Sequence, residues 1–71
     1  MKQPDTMPQA VKDSLLRWAK QHPSKVRDTI TGEERTLPMP PSVEWDGLNG
    51  CYFFIRNGMY HGVELDGYIH T

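Results

Sequence analysis

Cys51-Tyr52-Phe53-Phe54-Ile55-Arg56-Asn57-Gly58-Met59-Tyr60-His61-Gly62-Val63-Glu64-Leu65 is the stretch on which the fold turns. An aromatic and β-branched run meets Asn57-Gly58, and a second strand-like run follows. Asn-Gly accepts positive φ at both central positions of a type I′ turn, whose twist matches the strands it joins. A two-residue loop there sets Arg56 opposite Met59, then pairs Ile55 with Tyr60, Phe54 with His61, Phe53 with Gly62 and Tyr52 with Val63. Side chains alternate across a strand. One face therefore carries Tyr52, Phe54, Arg56, Met59, His61, Val63 and Leu65, and the other carries Cys51, Phe53, Ile55, Tyr60 and Glu64. Phe53 is expected to lie over the bare backbone of Gly62.

Upstream, Thr6-Met7-Pro8-Gln9 matches a capping box, with Pro8 in the first turn where its missing N–H is harmless. Met7, Val11, Leu15, Trp18 and His22 recur at helical spacing, and Ala19 widens the stripe. This pattern predicts an amphipathic helix over about 7–21, ended by Pro23. Leu16 falls off the stripe and is expected to be partly exposed. Residues 26–37 read as a weaker, additional hairpin around Gly32. Three prolines within 38–41 remove ladder donors and make a connector. A β-meander over 42–70 follows, with turn residues at 46–50. The last residues, from Tyr68 to Thr71, either extend the final strand after a turn at Asp66-Gly67 or fray. The expected architecture is α+β: an N-terminal helix packed on a small antiparallel sheet, with residues 1–71 as one domain.

Seventy-one residues sit near the lower limit for an unstapled core. A single cysteine rules out an internal disulfide framework and points to a reducing, cytoplasmic setting. No apolar run approaches the ~20 residues that span a bilayer, so no membrane partner is expected. Net charge is −1 but unevenly spread. Residues 1–30 hold Lys2, Lys12, Arg17, Lys20, Lys25 and Arg27 against three aspartates, a balance of +3. Residues 31–71 hold Arg35 and Arg56 against six carboxylates, a balance of −4.

Chemistry finds little to stand on. Cys51, His22, His61 and His70 lack metal-ligand spacing, so no metal is expected. Cys51 and His61 fall on opposite hairpin faces and should not pair as nucleophile and base. Gly47 and Gly50 belong to a turn and open no helix, so they form no phosphate cradle. The chain reads as a non-enzyme without a cofactor.

Recognition fits better. Both hairpin faces are apolar, and one short helix can cover only one of them. The other must be covered by the segment 26–41, by a second copy or by a partner. The expected function is a small protein-binding or regulatory protein of adaptor or inhibitor type, on the scale of those encoded by phages and mobile elements. Its partner would be another protein or a second copy, forming a homodimer. Tyr52, Phe54, Arg56, Met59 and Tyr60 are the candidate contacts, because aromatic, Met and Arg side chains dominate interface energetics. The alternative is a nucleic-acid-binding module that stacks bases on the aromatic hairpin and holds phosphate with Lys12, Arg17 and Lys20. Glu44, Asp46, Glu64 and Asp66 oppose that reading by repelling phosphate.

Overall fold

The computed structural model describes residues 1–71. Helix α1 spans Gln9–Gln21 and buries Val11, Ser14, Leu15 and Ala19. Its start differs from the expected capping box. Pro8 is the N-cap, in an extended conformation (φ −57°, ψ 146°), and no side chain caps the helix. Thr6 is too early to serve, because the Pro8 carbonyl already accepts from the N–H groups of Val11 and Lys12 at 3.0 and 3.1 Å. At the other end the His22 N–H donates to the Trp18 carbonyl at 2.8 Å, and Pro23 stops the helix.

Two separate antiparallel sheets follow. Strands β1 (Lys25–Arg27) and β2 (Glu34–Thr36) make a hairpin, and β3 (Glu44–Asp46), β4 (Cys51–Arg56) and β5 (Met59–Val63) make a meander. Asn57 and Gly58 both adopt positive φ, 53° and 76°, as the type I′ turn requires. The five pairs from Tyr52–Val63 to Arg56–Met59 form in the expected register. At the β3–β4 turn the Asp46 Oδ1 accepts from the N–H groups of Leu48 and Asn49 at 3.0 and 3.1 Å, and the Gly50 N–H returns to the Asp46 carbonyl at 2.8 Å.

The C-terminal residues extend the sheet and do not fray. The Glu64 N–H donates to the Tyr68 carbonyl at 2.8 Å, the His70 N–H donates to the Gly62 carbonyl at 2.9 Å, and Val63 bridges Ile69. Gly67 carries a φ of 95° at the turn, and the Ser14 hydroxyl of the helix donates to its carbonyl.

The helix covers the Tyr52–Phe54 face. Val11, Leu15, Tyr52, Phe54 and Val63 form the core, with Met7, Trp18, Met39, Val43, Trp45 and Ile69 packed around it. Trp18 meets Phe54 edge-on at 5.5 Å and His61 at 5.1 Å. These contacts offset the cost of its indole N–H, which is buried without an acceptor. The proline connector, through Met39, thus packs on the same side as the helix and leaves the opposite sheet face open. No helix is long and apolar enough to cross a membrane.

The β1–β2 hairpin stands apart, with every strand residue exposed. Its ladder continues one pair beyond the strands, with the Leu37 N–H donating to the Ser24 carbonyl at 2.9 Å. The radius of gyration is 13.3 Å, against about 11 Å for a compact domain of this length. An arm projecting from a small body accounts for the difference.

Candidate docking face

Register decides which side chains the helix leaves uncovered. Glu44 pairs with Phe53 and Asp46 with Cys51, so both carboxylates join the Cys51, Phe53, Ile55, Tyr60 and Gly62 side of the sheet. Glu64 follows by alternation. His70 arrives beside Gly62 on the returning segment, with Tyr68 against its ring at 4.9 Å.

The centre of this face is aromatic and aliphatic. Phe53 and Tyr60 stack at 5.0 Å with 14° between their planes. Phe53 stands opposite Gly62 in the ladder, as expected. A side chain added at Gly62 would meet Tyr60 and His70 at 3.4 Å and Cys51 at 3.6 Å, so these residues also border the space above its bare backbone. Ile55 is 50% exposed, Tyr60 43% and Tyr68 60%. Ile55 and Tyr60 face each other across the ladder and leave an uncovered apolar patch on this side of the sheet.

The rim is acidic. Tyr60 donates its hydroxyl to Asp46 Oδ2 at 2.7 Å, and Asn49 Nδ2 donates to the same oxygen at 2.7 Å. The Tyr60 bond, followed by those from Asn49, lowers the Asp46 carboxyl from 3.8 to about 2. Burial, and then the bond to Asp46, pushes the Tyr60 hydroxyl up to about 12. Asp46 is thus a permanent charge that also locks the Tyr60 ring. His70 Nε2 lies 2.8 Å from Glu64 Oε1. No Lys or Arg of strands β3 to β5 falls on this face, and Arg17 of the helix lines the groove at its Tyr68 edge.

The depressed Asp46 value has a measurable consequence. Its contribution to stability is complete above the ordinary carboxylate value of 3.8 and is lost as pH falls towards about 2. Melting curves of the wild type should therefore lose ground between about pH 4 and pH 2, and Asp46→Asn should lose less over that interval. Equal slopes for the two proteins would show that the Tyr60 bond does not hold the carboxylate in its charged form.

The expected contact residues divide. Tyr52 and Phe54 are 3% and 1% exposed, beneath the helix, and are core residues that no partner reaches. The reason is geometric: with both sheet faces apolar, the helix took the one that also carries Val63 and pairs Trp45 with Tyr52. Arg56 is half-buried and Met59 is exposed, at the hairpin tip on the helix side of the sheet. Tyr60 alone of the five lies on the open face. Phe53, Ile55 and Tyr68 were missed, although the alternation that placed Tyr60 also placed Phe53 and Ile55. Lys12, Arg17 and Lys20 are exposed on the outer side of α1, spread over an arc of about 140° at 100° per residue.

Nowhere do three His, Cys, Asp or Glu side chains converge as a metal site requires. Cys51 is buried 3.8 Å from the Tyr60 hydroxyl. His61 Nδ1–H donates to the His70 carbonyl at 2.9 Å and stacks on Phe54. No family model, curated protein or solved structure matches the chain.

Proposed function

We propose that this chain is a protein-binding protein of adaptor or inhibitor type that docks its open sheet face on a cationic partner surface. One observation carries the reading: exposed, paired Ile55 and Tyr60 on the sheet face that also bears Glu44, Asp46 and Glu64, with Tyr68 at the edge where Arg17 begins the basic side. Apolar burial supplies affinity, and the carboxylate rim selects partners and speeds encounter. Self-association through this face is disfavoured, since a two-fold contact would bring one acidic rim against its copy. Binding requires no chemistry from Cys51, His61 or His70, which are committed to internal contacts.

The test uses synthetic amphipathic peptides matched in length and apolar content but carrying Lys and Arg, Glu and Asp, or neutral polar residues. Amide shifts of Ile55, Tyr60 and Tyr68 should move with the cationic peptide, and the affinity should weaken as salt rises. Ile55→Lys should abolish this response without changing the melting curve, because Ile55 is half exposed. Silence with all three peptides would overturn the reading. Retardation of single-stranded nucleic acid, lost on charge reversal at Lys12, Arg17 and Lys20, would replace it with the nucleic-acid alternative.

A further inference from the structure

We infer that two copies of this chain pair through their β1–β2 arms, each Ile30 tip seating in the apolar groove at the root of the other's arm. This stands on observations separate from the open sheet face. An isolated two-stranded hairpin is marginal in water, yet the tip of this one is closely fastened. The Asp28 N–H donates to the Glu33 carbonyl and the Gly32 N–H to the Asp28 carbonyl, both at 2.8 Å. Asp28 Oδ1 accepts from the N–H groups of Ile30 and Thr31 at 2.8 and 3.2 Å, and Thr31 Oγ1 accepts from the Glu33 N–H at 3.2 Å. Behind the tip, Arg27 and Glu34 pair at 2.6 Å. The outcome of all this ordering is an isoleucine held 93% exposed.

The complementary feature lies at the other end of the arm. A groove of about 350 Å³, mostly apolar, runs between α1 and the arm's root, lined by Leu16, Ala19, Pro23, Leu37 and Pro38. Leu16 is exposed on an otherwise polar outer helix side, and its side chain is one wall of this groove. Ile30 cannot reach its own groove, because the arm runs extended from the Asp28–Glu33 closure to Thr36 and sets the tip roughly 10 Å or more beyond the root. A second copy supplies what the first lacks. Lys20 stands at the groove, while Asp28 and Glu33 flank the tip, so the charges match when tip meets root. Where the arms lie antiparallel about a two-fold axis, one operator seats both tips and the contact closes as a dimer.

Sedimentation of the full chain over a wide dilution series tests this. A monomer–dimer equilibrium is expected, weakened about 10- to 100-fold by Ile30→Asp and by Leu16→Glu, the effect of losing one buried aliphatic contact. At dilutions where the wild type is monomeric both variants should melt as it does, since both side chains are exposed in the monomer. Lys20→Glu and Glu33→Lys should each weaken pairing, and the double variant should restore it. A monomer at every concentration would overturn the inference, as would a dimer indifferent to Ile30→Asp and Leu16→Glu. A dimer lost instead on Ile55→Lys would move self-association to the sheet face and remove the cationic-partner reading with it. Loss of the arm pairing alone leaves that reading standing.

Discussion

Phe54→Ala should leave this chain largely unfolded at ambient temperature. Phe54 is 1% exposed, contacts the Trp18 edge at 5.5 Å and stacks with His61 at 5.2 Å. Truncating a buried phenylalanine costs about 3–5 kcal/mol, because the lost transfer energy is joined by the cavity left behind. A chain of this length has roughly 3–5 kcal/mol to lose. The five-residue core cannot collapse around the gap without moving the helix, since Val11 and Leu15 come from α1 and Tyr52 and Val63 from the sheet. Urea titration followed by tryptophan fluorescence should show a midpoint near zero denaturant. Ile55→Ala, one residue along the same strand but on the open face, should shift that midpoint only slightly. If Phe54→Ala instead melted like the wild type, Phe54 would belong to an interface and the helix would not lie where it is described.

This neighbouring pair shows how much was legible beforehand. Asn57-Gly58 was enough to set the register, and the register was enough to separate Phe54 from Ile55. It could not say which of the two would be buried, because both faces are apolar and period-two alternation is blind to what sits on top. That choice is tertiary: it depends on Trp45, Val43 and Met39 converging with α1 on one side. The consequence falls on the expected contact residues: Tyr52 and Phe54 are buried in the core, and Ile55 and Tyr60 are the exposed side chains of the other face.

Other departures have equally local causes. Thr6-Met7-Pro8-Gln9 satisfies the capping-box spelling, but an extended Pro8 starts the helix too late for Thr6 to cap it. Residues 26–37 show strand propensity and a turn glycine without any apolar period, which is enough to expect pairing but not separation from the body. A hairpin without a buried face has nothing to hold it down.

The charge imbalance between the two halves of the chain acquires a direction in the fold. Lys12 and Lys20 lie on the outer side of the helix, Arg17 reaches the edge beside Tyr68, and Glu44, Asp46 and Glu64 lie on the far side of the sheet. Under the proposed docking, such a distribution steers the chain towards a cationic surface with its apolar face forward. If the arms pair two copies, two such faces belong to one particle. A partner presenting two cationic sites would then be held far more tightly than by either face alone.

Gly67→Ala should be nearly as damaging as Phe54→Ala, and for a reason invisible in composition. Gly67 sits at φ 95°, where an alanine is strained. A Cβ there would lie 2.7 Å from the Ala10 carbonyl oxygen and 2.7 Å from Ser14 Oγ. The first obstacle is helix backbone and cannot swing aside. Backbone strain of about 1–2 kcal/mol and an overlap costing about 1–3 kcal/mol both fall on the contact that ties the C-terminal return to α1. At roughly 4–8 °C per kcal/mol for a domain this small, the melting temperature should drop by 10 °C or more. Gly32→Ala is the control. Its φ is 75°, yet nothing lies within 4 Å of the added carbon, so it should show the backbone term alone. Equal losses for the two variants would mean that the turn does not rest on the helix. The larger loss expected at Gly67 should reach the docking face as well, because the same return carries Tyr68 and His70 to its edge, and variants destabilised there should bind the cationic peptide more weakly even where they remain folded.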